Sequence, residues 1–478
     1  MLRKIIIFSL VAVFLITNGA ACSCSPNAQQ VKQKITLTMW GVFDDETVFK
    51  PMIDLYQSLN PNVTINYVKK DYNEYIQQSV DAIAAGKGPD IWMLRNDWVF
   101  EQSDKLKTMT PGLFKKSDQD TRTDIQIYKD MFPNIAVQDN IINDQIYGIP
   151  LSIDTLAVYY NKQHFNEVQN NLYSQNKSSD ALLFNYSPNT WEDFMKMSQM
   201  LTKKDANGNI TRSGAALGTA SNISNASDIA AALMIQNNTE MTSADRLTAT
   251  FNLPISKQTG ELVYPGTEAL KFYTSFSDQK FGNYMWNNSL ENSILAFEKG
   301  TASMMISYGY TRKRLSQEAP QLQYGIGPFP QINGATTSSD FASYYSVTVT
   351  NNSKYPVSSW SFIKFLYENI DTYLSATQRP SPKRISDISI PLTKERSTLG
   401  GNPFSYQIMS AKYWYKGKYP IKVDNAFFQM IDNVSTKGED SQKAIDAAAV
   451  IVTELYKLTN QNITSTPRPT SASPTPTK

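Results

Sequence analysis

A chain of 478 residues is too long for one hydrophobic core and implies two or three domains. Its single histidine, His164, excludes every His-pair metal site and makes any Ser–His–Asp arrangement depend on one residue. Lys and Arg number 45 against 43 Asp and Glu; Arg3 and Lys4 fall in a leader, so the balanced remainder offers no electrostatic reason to bind nucleic acid.

The chain starts Met1-Leu2-Arg3-Lys4, continues through an apolar run at 5–16, and places small residues before Cys22. That is the pattern of an export signal, too short for a membrane span of about 20 residues. Ala20-Ala21-Cys22 resembles a bacterial lipoprotein signal, in which Cys22 would be lipidated; Gly19 departs from that pattern, and Cys24 is the alternative. Both cysteines lie here and would also suit a disulfide or redox pair, so the body carries no internal disulfide. Residues 23–34 are polar and read as a tether.

From residue 35 the pattern alternates. Residues 35–40 read as a strand, and Phe49, Met52, Ile53, Tyr56 and Leu59 give helical spacing over 46–59, where Pro51 is tolerable only near the start. Val63, Ile65 and Tyr67 alternate as a strand after the turn Asn60-Pro61-Asn62. Tyr75, Ile76, Ser79, Val80 and Ile83 mark a second helix, stopped by Gly86-Lys87-Gly88-Pro89 before a strand at 90–94. Such alternation predicts a parallel sheet. Ligands bind beyond the carboxyl ends of its strands, which points to Trp40, Asp44 and Asp45 after the first strand and Arg95, Asn96, Asp97 and Trp98 after the third. Aromatic faces with carboxylates suit a sugar ring, although ordinary loop polarity would give the same residues.

Residues 147–162 read as one mostly buried strand through Ile149, Leu151, Ile153, Leu156, Val158 and Tyr160. Asp154 interrupts it. An ionised carboxylate there costs several kcal/mol, of order, unless something satisfies it; it is either an ion-paired core residue or a cleft residue. Thr190 and Asp193 form a helix cap ahead of Trp191, Phe194, Met195, Ser198 and Leu201. Asp205-Ala206-Asn207-Gly208-Asn209 resembles half a calcium loop but lacks the terminal Glu, which favours a hairpin turn. Residues 436–458 end the body with a helix striped by Ile445, Ala448, Val452 and Leu455. The Ser/Thr/Pro-rich tail, 459–478, is expected to be disordered.

Set in order, these pieces resemble the solute-binding proteins of ABC importers, in the extracellular sugar-binding branch. The likeness is carried by Ala84-Ala85-Gly86-Lys87-Gly88-Pro89-Asp90-Ile91, by 147–162 as a first crossover between lobes, and by Ala296-Phe297-Glu298-Lys299-Gly300-Thr301-Ala302-Ser303-Met304-Met305 as a second. Tyr324-Gly325-Ile326-Gly327-Pro328-Phe329-Pro330 and Trp360-Ser361-Phe362-Ile363-Lys364-Phe365-Leu366 follow in the same order. The resemblance implies an α/β, bilobal periplasmic-binding-protein type II fold whose two α/β lobes are joined by crossover strands. Its implied lobes are 35–152 with 309–370 and 153–308 with 371–458, after a lipoprotein signal at 1–22. It places Asp154 at the crossover and Trp40, Asp44, Asp45, Asp97, Trp98 and Tyr310 at the ligand. Tyr308 falls beside Tyr310, and Trp286, Tyr344 and Arg379 stand on loops that vary within the family. Leu94 replaces an aromatic, which argues against a maltodextrin.

The function so implied is capture of a sugar without chemistry, by a monomer lipid-anchored outside the cell membrane or in the periplasm, which passes the solute to ABC permease subunits. No cofactor and no metal is expected. Peptide, polyol phosphate and polyamine remain open as ligands. A secreted glycosidase could draw a carboxylate pair from Asp44, Asp97 and Asp154, but no catalytic signature accompanies them. A glycan-binding adhesin would account for the tail.

Overall fold

The computed structural model describes residues 33–385 and 402–461. The leader with Cys22 and Cys24, and nearly all of the expected tether and tail, lie outside the described residues.

Among the described residues, eleven strands build the two larger sheets. The first half contributes β1 (Ile35–Gly41), β2 (Val63–Lys69), β3 (Ile91–Arg95), β4 (Leu106–Lys107) and β5 (Gly148–Pro150). The second contributes β6 (Asp154–Asn161), β7 (Met304–Tyr308), β8 (Tyr324–Pro328), β9 (Asp340–Ser343) and, near the end, β11 (Ala411–Lys412). Between them, β10 (Tyr345–Thr350) returns to the first sheet.

In the first sheet, ordered β2-β1-β3-β10-β4, β1 runs parallel to β2 and β3, while β10 runs antiparallel to β3, β4 and β5. Leu37 and Met39 alternate inward along β1, and helix Glu46–Leu59 covers them with Phe49, Met52, Ile53 and Tyr56 at helical spacing. Pro51 lies in the second turn of that helix, where it removes one backbone hydrogen bond. Gly41 ends β1 because a Cβ there would come within 2.7 Å of the Met93 sulfur and the Tyr67 hydroxyl. The parallel arrangement delivers the ends of β1 and β3 to one edge.

In the second sheet, β6 pairs antiparallel with β7 along one edge and with β8 and β9 along the other; β11 adds parallel to β9. Its core is the larger one. It gathers Trp191, Phe194, Phe276, Phe297 and Phe329 with the helices Ala226–Gln236, Pro265–Ser275, Pro420–Ser435 and Ser441–Gln461. Among the described residues no helix is long and apolar enough to cross a membrane.

Residues 147–162 are therefore not one strand. β5 belongs to the first sheet and β6 to the second, with 151–153 crossing between them. The return crossing lies at Tyr344, the one residue between β9 and β10. It does not lie at 296–305, because β7 stays paired with β6 from Met304 to Tyr308. The segment that follows likewise packs with the second core: Leu315 is part of it and β8 and β9 pair with β6. Tyr373 and Ile408, conversely, pack in the first core. The lobe bounds implied by the resemblance differ from this packing at both places. The two crossings run side by side and antiparallel, continuing the pairings Ser343 with Asp154 and Ser346 with Pro150.

Candidate functional site

The edge where β1 and β3 end forms one wall of a cavity of about 330 Å3. Val42, Phe43, Asp44, Tyr72, Met93 and Arg95 line it. Phe43 adopts φ +64°, a left-handed conformation that is an outlier for a bulky side chain, and 51% of its surface is exposed. Its ring lies 5.1 Å from Tyr72 and edge-on to Tyr345 at 5.8 Å. The Asp44 carboxylate accepts from Arg379 Nη1 at 2.5 Å and from the Tyr373 hydroxyl at 3.0 Å. The Arg379 guanidinium, disfavoured by burial, is nevertheless held fully charged by Tyr373 and Asp44.

The floor is the pair of crossings, with Ser152, Asp154, Ser343, Tyr344 and Tyr345. Asp154 is 4% exposed, and among the described residues no cation neutralises it by direct contact. Its Oδ1 accepts the backbone N–H of Thr155 at 2.9 Å and of Gly309 at 2.6 Å, and Oδ2 that of Tyr310 at 2.8 Å. Burial raises its pKa to about 6, against the pull of the Gly309 and Tyr310 amides. Asp154 thus ties the turn after β7 to the start of β6. Gly309 is required there, since a Cβ would meet Asp154 Oδ1 at 2.8 Å and Pro380 at 2.9 Å.

The opposite wall belongs to the second half. Tyr308 and Tyr310 lie with their rings 5.8 Å apart and 24° from parallel, and Tyr310 remains 42% exposed. Asn225 and Asp228 sit at the start of helix Ala226–Gln236. The Tyr308 hydroxyl donates to Asp228 Oδ2 at 2.8 Å. Asn225, at φ +64°, has an amide nitrogen shut off from solvent and without a hydrogen-bond partner among the described residues.

Of the residues singled out in the sequence, Asp44, Arg95, Asp154, Tyr308, Tyr310, Tyr344 and Arg379 meet at this cavity. Six do not reach it. Trp40 is half-buried on the far side of β1, with Lys70 Nζ 4.0 Å over its ring. Asp45 turns outward to Lys69 at 2.8 Å. Asn96 and Asp97 are buried, the first bonded to Asp139 at 3.1 Å and the second gripping Arg95 at 2.7 Å through both oxygens. Trp98 fills the small core behind β3, and Trp286 is wholly buried in the second core with its indole N–H on Asn222 at 3.1 Å. Position after a strand does not fix direction: Asn96, Asp97, Trp98 and Trp286 point back into packing, Trp40 takes the far face of β1, and Asp45 turns to solvent. Phe43, Tyr72, Tyr345, Tyr373, Asn225 and Asp228 were not singled out. Phe43 and Tyr345 adjoin residues that were, but Asn225 and Asp228 come from a helix start with no distinctive pattern. His164 is half-buried against Ser303 at 3.0 Å, and burial lowers its pKa to about 4; it does not line the cavity. Among the described residues no cluster of His, Cys, Asp and Glu could hold a metal ion.

Behind the return crossing, Asp139 accepts from the Tyr344 hydroxyl at 2.7 Å, and burial raises its pKa to about 7. A carboxyl raised above its ordinary 3.8 holds its proton more tightly in the folded state, so its contribution to stability is present at low pH and lost as pH rises toward 7. The melting temperature should accordingly fall between pH 5 and pH 8, and Asp139→Asn should flatten that slope.

The sequence profile of the bacterial extracellular solute-binding proteins matches residues 40–371. The galactooligosaccharide-binding protein of Bacillus subtilis (strain 168) is 23% identical over 171 residues, 35% of this chain and 37% of its own length. Among solved structures, the sugar-binding protein MalE from Xanthomonas citri superposes with a TM-score of 0.66 at 16% identity, covering 90% of this chain and 100% of that one. An ABC transporter solute-binding protein from Thermotoga lettingae TMO, bound with α-D-tagatose, gives 0.62 at 16% identity, over 88% and 99%. At these identities the likeness is one of fold: two α/β halves of the type II periplasmic binding protein arrangement.

Proposed function

The chain belongs to the bacterial extracellular solute-binding protein family, and from that premise we propose that it captures a sugar or oligosaccharide between its two halves for an ABC importer. The observation that carries this reading is the convergence of aromatic rings from both halves on one cavity. Phe43, Tyr72 and Tyr345 come from the first, and Tyr308 and Tyr310 from the second. Such rings suit the apolar C–H faces of a pyranose. Arg379, Asn225, Ser152 and Ser343 supply polar groups for its hydroxyls. A solute touching both walls binds the closed arrangement better than the open one and so shifts the population toward closure. The halves packed around the two sheets act as the lobes, and the permease subunits read the closed form. Lipidation at Cys22 would keep the monomer at the outer face of the membrane.

Capture without chemistry is also the better reading of the carboxylates. Asp44 is engaged by Arg379 and Tyr373, Asp97 by Arg95 and Tyr413, and Asp154 by three backbone amides. None is poised as the acid–base pair that glycoside hydrolysis requires.

Titration calorimetry against a panel of mono- and oligosaccharides tests the reading. At least one sugar should bind with a Kd near the micromolar range, about −8 kcal/mol. Tyr310→Ala should weaken it by about tenfold, as expected for losing a ring contact of about 0.5–1.5 kcal/mol. Wild-type affinity in that variant would remove the cavity as the site, and silence across the whole panel would remove sugar as the solute.

A further inference from the structure

One wall of the cavity is a chain of charges joining the halves. Arg95, at the end of β3, holds Asp97 through Nε and Nη2 at 2.7 Å each, and its Nη1 reaches the Tyr72 hydroxyl at 3.2 Å and Asp424 at 3.6 Å. Asp424, on helix Pro420–Ser435 of the second half, pairs with Lys416 at 2.7 Å, and Lys416 with Asp228 at 3.1 Å. The Tyr413 hydroxyl adds a bond to Asp97 at 2.9 Å. Arg95 and Asp228 present the cavity side of this chain.

These groups differ from Arg379 and Asn225 in one respect. Each nitrogen of Arg95 and the ammonium of Lys416 already has a protein partner, so the chain offers little to a solute and closes the cleft instead. A solute extending past Arg95 and Asp228 would have to part buried charges, which is strongly unfavourable. The space left to it is about 330 Å3, at the small end of the roughly 300–1,000 Å3 usual for small-molecule sites.

We infer that the Arg95–Asp424–Lys416–Asp228 bridge sets the length of the captured solute, limiting it to one or two sugar rings. The inference rests on the sugar-capture reading above. Its test is calorimetry of the full mature chain against gluco-, manno- and galacto-configured saccharides, each from one ring to six. In the series that binds, affinity should peak at one or two rings and fall at least tenfold at three. Asp424→Asn, which removes the charged link from Arg95 to the second half while leaving Arg95 on Asp97 and Lys416 on Asp228, should raise trisaccharide affinity at least tenfold and move the shorter ligands less than threefold. Affinity that holds or climbs through six rings in the wild type would overturn the inference and leave sugar capture standing. A length profile unchanged in Asp424→Asn would overturn the bridge as its cause. No binding in any series would overturn both readings together.

Discussion

Replacing Lys416 by methionine should lower the unfolding free energy by about 3–5 kcal/mol, the cost of removing one partner from a buried ion pair. The Lys416 side chain is 1% exposed, and its ammonium lies between the carboxylates of Asp228 and Asp424. Burial works against its charge, yet the two carboxylates outweigh that and hold its pKa above the ordinary lysine value. Methionine fills similar space but leaves two like charges facing each other away from water. Burial already raises the Asp424 pKa, and the variant removes the ammonium that pulls it back down. The penalty is therefore largest at neutral pH and relieved as pH falls through that raised value. Urea melts of Lys416→Met at pH 7.5 and pH 4.5 should show a large deficit at the first and a smaller one at the second. Equal deficits would mean that the loss comes from packing around Tyr413 and Trp414 and not from stranded charge.

The second large effect is expected at Asp154, where affinity and stability should part company. Alanine removes the acceptor for three backbone amides, including that of Tyr310. The turn that presents the Tyr310 ring is then held only by its other contacts, and sugar affinity should fall by about a hundredfold, close to 3 kcal/mol. Asparagine is the more telling variant. Its oxygen can still accept from Gly309 and Thr155, but its amide would oppose the Tyr310 N–H, donor against donor. Affinity should fall about tenfold. Stability should move the other way: with the folded-state pKa raised to about 6, the ionised carboxylate weighs on the fold at neutral pH. Asp154→Asn should melt a few degrees above the wild type at pH 7.5, and that advantage should vanish near pH 5, where Asp154 itself takes up a proton. Calorimetry and melting curves on the same preparations separate the two quantities. Wild-type affinity in both variants would show that the turn does not depend on this carboxylate.

Local patterns carried much of the first half. Helix Glu46–Leu59 has the bounds its periodicity predicts, β1, β2 and β3 fall where alternation and apolar runs place them, and Thr190 caps its helix through the Asp193 amide as expected. The turn at Asp205 likewise forms a hairpin, joining Lys203–Lys204 to Ile210–Arg212. What local pattern could not carry was partnership between distant segments. A continuous apolar run at 147–162 is equally compatible with one sheet or two, and only the pairing of β5 with β10 and of β6 with β9 divides it. The same limit explains Trp98 and Trp286. A tryptophan on a loop after a strand suits a sugar face or a core equally well, and here neighbouring helices claimed both. Asp154 was legible as an anomaly, but two of its three partners lie 155 and 156 positions away in the chain, and all three are backbone amides, which no residue type announces.

The joint at Tyr344 has a consequence for the chain's tolerance of change. Along β10, Val347 and Val349 face the first core while Ser346 and Thr348 take the other face, and β9 obeys its own alternation one residue upstream. With a single amino acid as spacer, the in–out parity of one sheet is locked to that of the other. Inserting one residue there would invert every side chain of β10 relative to β9, whereas inserting two would restore the phase at the expense of reach. Among the connections described, this is the one with no slack, so evolutionary or engineered indels should be excluded from it while the hairpin at 205–209 admits them freely.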